Sequence, residues 1–497
     1  MIKRLLIANR GEIAIRVARA CRETGIESVA VYSDADADAA HVDAADRSVH
    51  IGAAAAIESY LSIPKILQAI DQTQADAVHP GYGFLSENAR FAAACEQAGV
   101  TFVGPPSRVI AAMGSKINAR RMIQDAGIPI VPGETPADQS DSGILAALTR
   151  VGFPALVKAS AGGGGKGMRT VGADDDAQET IQAARREAAA AFGDGTLYVE
   201  RLVRHARHVE VQIIADDHDG CLHLFERDCS TQRRHQKVIE ESPSPVVSPA
   251  LRARMTDAAV RAARASGYRN AGTIEFLVDP ASGEFFFLEM NTRLQVEHPV
   301  TEEVTGLDLV RAQLVVASGG ALPWTQDDVS QRGHAIEARI YAEDPGAGFL
   351  PQAGAILLYR EPRMPGVRID SGIREGDVVP VHYDPMLAKV IASAATRDQA
   401  IERLQTALRE YPILGIRTNV AFLLAILEHA QFRAGDVDTA FLDREGASLA
   451  ECAGVNDEVP PFVREIAESP HATTGAADRH SRPAQPDPWH TLSRWRL

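Results

Sequence analysis

The chain has 497 residues, 45% hydrophobic and 24% charged, a balance that excludes a disordered chain and predicts two to four domains of about 150 residues. Its 66 acidic residues outnumber the 51 basic ones and leave a net charge of −15, which works against broad binding to nucleic acid or to an anionic membrane. The five cysteines (Cys21, Cys95, Cys221, Cys229, Cys452) include no C-x-x-C pair, and the longest apolar run, Val420 to Leu427, is far shorter than a ~20-residue membrane span. A disulfide framework and a zinc cluster are therefore not indicated, and the cytoplasm is the expected compartment.

In chain order, residues 3–8 are a predicted strand, followed by Asn9-Arg10-Gly11 and a helical pattern through Ile13, Val17, Ala20 and Cys21. Strands are predicted at Val29–Tyr32, Ala75–Val78 and Thr101–Val103, with a helix over Phe91–Ala98. This alternation predicts an open, Rossmann-like parallel sheet over the first ~105 residues. A Pro-, Gly-, Asp- and Ser-rich segment at 131–143 reads as a hinge or a boundary. Beyond it come short strands at Phe153–Lys158 and Met168–Val171 around a glycine loop, then a helix over Asp176–Ala191. Two hairpins follow, Val209–Ala215 with Leu222–Glu226 and Gly272–Val278 with Phe285–Met290. A mixed α+β unit occupies about 334–444. The tail from about 454 has little periodicity and reads as mobile.

The glycine loop Gly162-Gly163-Gly164-Gly165-Lys166-Gly167 satisfies G-x-G-x-x-G but leads into a strand, and Gly167 stands where Walker A needs Ser or Thr. Either it is a plain flexible hairpin or it is a flap whose bare amides approach phosphates, with Lys158 and Lys166 adding charge. Glu275 and Glu289 are more informative. Strand alternation across the second hairpin places them opposite each other, where two carboxylates repel unless a cation or proton lies between. With the amide oxygen of Asn291 they offer hard ligands for Mg²⁺ or Mn²⁺ shared with substrate phosphates. Asn291, Arg293, Gln295 and Glu297 share one parity, so an extended stretch aims all four to one side. A guanidinium and an amide there suit a planar oxyanion, and the carboxylate suits a general base. Gln232-Arg233-Arg234-His235-Gln236-Lys237 is a dense cationic segment, read in this acidic chain as neutralising an anion. His208 and Glu210 alternate on a strand and are candidates for the same cavity.

The motifs Ala8–Ala14 (ANRGEIA), His79–Glu87 (HPGYGFLSE), the glycine flap, Glu226-Arg227-Asp228-Cys229-Ser230 through Lys237, and Glu289–His298 (EMNTRLQVEH) resemble biotin carboxylase, in order from residue 2 to about 444. The resemblance implies a Rossmann-like N-terminal domain at 1–112 and an ATP-grasp domain at 113–330 with its lid at about 131–203. A C-terminal α+β domain at 331–446 and a tail at 447–497 complete the division. It implies ATP contacts from Lys116, Lys158, His208, Gln232, His235, Gly164 and Gly165. Glu200, Arg201 and Val203 match the adenine hinge, whose contacts run through backbone, and Met168 and Leu277 the packing on the base. Glu275, Glu289 and Asn291 match the metal ligands. Arg293, Gln295 and the Val296 amide match the bicarbonate site, with Glu297 as base. Lys237 would steady carboxyphosphate, and Tyr82 and Arg339 would face biotin. Lys166, Arg201, Val203 and Thr231 depart from the commonest pattern.

The implied cofactors are ATP, Mg²⁺ or Mn²⁺ (two ions), bicarbonate as substrate, and biotin on a carrier. No Met-Lys dipeptide occurs, so a separate biotin carboxyl carrier and a carboxyltransferase are expected as partners, with a homodimer or larger complex. No nucleic-acid or membrane partner is expected. Another ATP-grasp ligase, which the Tyr82 loop and Arg339 argue against, is the nearest competing reading. A nicotinamide dehydrogenase is disfavoured because only Gly11 occupies the first turn. A non-catalytic nucleotide-binding regulator is disfavoured by the set from Lys237 to Glu297.

Overall fold

The computed structural model describes residues 1–160, 168–173 and 175–454. The proposed phosphate-contacting Gly164 and Gly165, the neighbouring Lys166 and the tail beyond 454 lie outside the described residues. Strands β1 (Arg4–Ile7), β2 (Glu27–Tyr32), β3 (Arg47–His50), β4 (Ala77–His79) and β5 (Thr101–Phe102) form a parallel sheet in the order β3-β2-β1-β4-β5. Leu5, Leu6 and Ile7 are all fully buried, because a parallel sheet is covered on both faces. Strand β3 was not expected: Arg-Ser-Val-His has no apolar alternation, and as an edge strand it is largely exposed. The sheet carries two site loops at its carboxyl ends. Asn9 ties them together, its Nδ2 donating to Pro80 O and Tyr82 O at 2.7 Å each. Gly81 (φ +62°) leaves room for that contact, since a Cβ there would lie 2.7 Å from Asn9 Nδ2.

A second, antiparallel sheet has the order β6-β9-β7-β8, from β6 (Gly133–Glu134), β7 (Ala155–Ala159), β8 (Met168–Val171) and β9 (Leu197–Arg201). Its apolar face (Val157, Val171, Leu197, Val199) packs on helices Asp141–Val151 and Ala177–Phe192 through Ile144, Leu148 and Ile181. The strand–glycine loop–strand reading holds, because β7 and β8 pair from Ala155↔Val171 to Lys158↔Met168.

The largest sheet has eight strands. Those labelled are β10 (Arg207–Ala215), β11 (Cys221–Arg233), β12 (Gln236–Ser242), β13 (Asn270–Asp279), β14 (Glu284–Asn291) and β15 (His334–Tyr341). The order is β14-β13-β10-β11-β12-β15, then Met386–Ala394 and Val367–Ser371. Strands before and after residue 330 therefore belong to one sheet. Val209, Val211, Ile274 and Phe276 pack on Met255, Ala258 and Ala262 of helix Pro249–Ser266. Ile336, Ala338, Ile340 and Val390 pack on Leu404 and Leu408 of helix Arg397–Arg409. Strand alternation sends the intervening charged residues to the opposite face. No helix among the described residues is long and apolar enough to cross a membrane.

Candidate active site

Cross-strand register builds the site. Arg227 on β11 stands opposite Glu210 on β10, Glu210 opposite Glu275 on β13, and Glu275 opposite Glu289 on β14. One row of charged side chains thus crosses four strands on a single face. The Glu275–Glu289 pairing is the one the hairpin predicted. Simple alternation along the strand would place Phe287 on the face of Glu289, and the structure differs. The register shifts between Glu275 and Phe276, so that Phe276 pairs with Phe287 and Leu288 is the extra residue. This bulge turns Phe287 into the core beside Phe276 while Glu289 stays on the cavity side.

Lys237, on β12, reaches across this row. Its Nζ donates to Glu210 Oε2 (2.6 Å), Glu275 Oε1 (2.9 Å) and Glu297 Oε1 (2.6 Å). Fully buried Arg227 holds the other oxygen of Glu210 at 2.6 Å and also donates to Gln212, Thr273 and Thr301. His208 Nε2 lies 2.9 Å from Glu275 Oε2. Burial pushes the Glu275 carboxyl up, but Lys237 and His208 outweigh it and hold it below the carboxylate range. Glu289 is raised, first by burial and then by the negative charge of Glu275. The two opposed carboxylates thus hold a proton differently, as a repelling pair must. Lys116 faces Glu289, and burial lowers its ammonium.

Beyond β14 the four same-parity residues do converge. Asn291 Nδ2 donates to Glu275 Oε1 (2.7 Å) and Arg293 Nη1 to Gln295 Oε1 (2.9 Å). Glu297 closes the arc, with Lys237 on one oxygen and Arg339 Nη2 at 2.8 Å from the other. Burial favours its protonation, but Lys237, Arg339 and Arg227 together keep Glu297 well below the carboxylate range. As a metal site the set fits. Glu275 and Glu289 present carboxylates in register, and the Asn291 amide oxygen, which accepts from Arg293 Nη2 at 3.3 Å, keeps its second lone pair for a cation. Two further groups of ligand atoms among the described residues each lie within 4.8 Å of one another, His208 with Glu210 and Glu275, and Glu210 with Cys229 and Glu297; Lys237 bonds Glu210, Glu275 and Glu297.

Around this centre lies a cavity of about 1150 Å³. Among the described residues, Lys116, Lys158, Met168, Glu200, Arg201, Val203, His208, Gln232, His235 and Leu277 line it together with Lys237, Glu275, Glu289, Asn291, Arg293, Gln295, Val296, Glu297, Tyr82 and Arg339; Glu210, a candidate for the same cavity, is fully buried and does not line it. The segment expected to form the adenine hinge has its own partners. The Arg201 amide donates to Pro132 O and the Leu202 amide to Pro154 O. The Glu200 carboxylate is clasped by Lys158 Nζ at 2.5 Å and by Arg120. Sequence reasoning assigned no role to Arg120, nor to Glu87, which accepts from Thr292 N and lies 3.3 Å from Arg293 Nε. Glu87 ends the His79–Glu87 motif; nothing in the spacing of Arg120 marks it.

Comparison with known proteins agrees with this geometry. The chain matches the family models "Biotin carboxylase, N-terminal domain" over residues 1–110, "Carbamoyl-phosphate synthase L chain, ATP binding domain" over 115–325, and "Biotin carboxylase C-terminal domain" over 337–444. It is 50% identical over 442 residues to Biotin carboxylase 2 of Bacillus subtilis, covering 89% of this chain and 99% of that one. It is 49% identical to the rat mitochondrial methylcrotonoyl-CoA carboxylase subunit alpha, covering 90% of this chain but only 63% of that longer one. A biotin carboxylase–β,γ-ATP complex from Campylobacter jejuni superposes with a TM-score of 0.87 at 44% identity, covering 89% and 99% of the two chains. The biotin carboxylase domain dimer of Hydrogenobacter thermophilus 2-oxoglutarate carboxylase, in complex with MgADP, ADP and bicarbonate, gives 0.86 at 40% identity over 90% and 99%. On sequence, fold and site together, the chain belongs to the biotin carboxylase family.

Proposed function

We propose that the chain is an ATP-dependent ligase that carboxylates biotin with bicarbonate, the first half-reaction of a biotin-dependent carboxylase. The observation that carries this reading is Glu297 seated between Lys237 and Arg339, beside the Arg293–Gln295 pair. Bicarbonate and the ATP γ-phosphate are both anions. One pair of like charges at 4 Å costs about 4 kcal/mol at an effective dielectric near 20, so several cations must gather there. Arg293 and Gln295, with the Val296 amide, would hold bicarbonate. Glu297 would take its proton as its oxygen attacks the γ-phosphorus and ADP leaves. Glu297 is held acidic by its two cations. As Lys237 turns to the phosphoryl group and Arg339 to biotin, it loses both and becomes a stronger base. The carboxyphosphate formed gives CO₂ and phosphate. Phosphate then removes the ureido N–H proton of biotin, the nitrogen bonds to CO₂, and Arg339 stabilises the enolate-like oxygen.

Lys116, Lys158, His208, Gln232, His235 and the amides of Gly164 and Gly165 would line the nucleotide, with Met168 and Leu277 on its base and Glu200, Arg201 and Val203 along its edge. Glu275 and Glu289, with Asn291, would hold Mg²⁺ or Mn²⁺ (two ions), supplying charge neutralisation at the phosphates. Tyr82 and Arg339 would face biotin, presented by a carrier in trans alongside a carboxyltransferase, in the cytoplasm. A homodimer or larger complex, and the division at residues 112, 330 and 446, belong to the same reading. The test is ADP release with bicarbonate, Mg²⁺ and free biotin, each omitted in turn. All three omissions are expected to lower it, and Arg293→Ala or Glu297→Ala to lower it by about 100-fold or more. Normal bicarbonate-dependent turnover in either variant would overturn the assignment.

A further inference from the structure

The first motif of the chain, residues 8–14, takes no part in the chemistry above, yet Glu12 within it is nearly fully buried. It lies at the start of helix Gly11–Thr24, under the site. Its Oε1 accepts the Tyr82 hydroxyl and lies 3.0 Å from Lys389 Nζ. Lys389 comes from the far side of the largest sheet, on strand Met386–Ala394, opposite Arg339 in register. It has no exposed surface. Its ammonium also donates to the main-chain oxygen of Val296 at 2.8 Å and lies 3.9 Å from Asp370 Oδ2.

An ammonium taken wholly out of water is costly unless its donors are met and its charge is paired. Here the partners come from separate segments. The Val296 carbonyl belongs to the peptide whose nitrogen is that of Glu297, so gripping it fixes that peptide plane and the Cα from which the Glu297 side chain departs. Glu12, by accepting from Tyr82, fixes the phenol on the other side of the cavity. Besides the carboxylates of Glu12 and Asp370, Lys389 spends a donor on the backbone between two site residues.

Resting on the reading of Arg293–Glu297 as the bicarbonate side and Tyr82 as the biotin side, we propose that Lys389 is a positioning residue. Through Val296 O on one side and Glu12–Tyr82 on the other, it holds the two half-sites at one spacing. The relay has two branches that separate in kinetics. Lys389→Met cuts both, while Glu12→Ala cuts only the one to Tyr82.

The experiment measures ADP release by the full-length chain with ATP, bicarbonate and free biotin each varied in turn. Lys389→Met is expected to raise KM for bicarbonate and for biotin by about tenfold or more, leaving KM for ATP within about twofold. Glu12→Ala is expected to raise KM for biotin alone, and Tyr82→Phe to add nothing further in the Glu12→Ala background. Should Lys389→Met fail to fold, the Glu12→Ala and Tyr82→Phe cycle decides. An unchanged bicarbonate KM in Lys389→Met, equal shifts in all three KM values, or additive effects of Glu12→Ala and Tyr82→Phe would overturn the proposal. The native chain is assayed first: absence of bicarbonate-dependent ADP release there would refute the function itself, which is a different failure.

Discussion

Lys237 touches carboxylates from β10, from β13 and from the turn after β14. Its removal leaves Glu210, Glu275 and Glu297 facing one another with only Arg227, His208 and Arg339 to compensate. Lys237→Met is therefore expected to cost on the order of 3–5 kcal/mol of stability, read as a lowered denaturation midpoint, and to lower bicarbonate-dependent ATP cleavage by about 100-fold or more. Lys237→Arg is not expected to restore activity, because a planar guanidinium cannot point at three oxygens from one atom. The sequence marked Lys237 as part of a cationic run in an acidic chain. Its three partners were invisible there, since they lie 27, 38 and 60 residues away and meet only through strand register.

Two local irregularities shape the elements that carry these residues. One is the bulge that turns Phe287 inward and keeps Glu289 opposite Glu275. Deleting Leu288 makes Phe287 and Glu289 consecutive, so simple alternation keeps Phe287 inward and Glu289 opposite Glu275. The expected result is retained Mg²⁺-dependent ATP binding, measured by calorimetry. The other is the turn between β11 and β12. With Gln232↔Lys237 and Arg233↔Gln236 paired, only Arg234 and His235 are left to turn, both at positive φ (49° and 65°). A two-residue hairpin asks for that backbone, and non-glycine residues adopt it at a cost of about 1–2 kcal/mol each. Arg234→Gly is expected to raise thermal stability by up to about 1 kcal/mol, read as a higher melting temperature. Hairpins signalled by apolar strands, such as Gly272–Met290, could be read from the sequence. This one could not, because its turn holds neither Gly nor Asn and its strands are polar.

At the scale of the molecule, a layer of buried charge lies between the largest sheet and the N-terminal domain. Glu240 on β12 and Glu337 on β15 face each other in register with no exposed surface. Arg339 Nη2 lies 2.5 Å from Glu240 Oε1, but off the N–H direction, and neither carboxyl has an aligned hydrogen-bond partner. Burial, then Glu297, raises Glu240 from the ordinary 4.5 to about 7 against the pull of Arg339, and burial likewise raises Glu337 well above the ordinary carboxylate range. A carboxyl raised in the folded state binds a proton that the unfolded chain releases. Its stabilising share is complete below pH 4.5 and is lost as pH climbs to about 7. Glu240→Gln keeps the neutral form, so its melting temperature relative to the native chain is expected to rise between pH 5 and pH 8. Glu275 and Glu297, held low, have the opposite sign and lose stability as pH falls.

The alternation of strand and helix in the first hundred residues, the flap strands, the two apolar hairpins and the convergence of Asn291 to Glu297 were all determined by the sequence, because each rests on periodicity or spacing within about twenty residues. Edge strand β3, the bulge at Leu288, the polar turn at Arg234-His235, the clasp on Glu200 and the burial of Lys389 against Glu12 and Val296 were decided only by the tertiary structure. In each of these the partner is distant along the chain, or the local pattern is overruled by packing. A charge's neighbours, and hence its proton affinity, are set by which strands lie side by side.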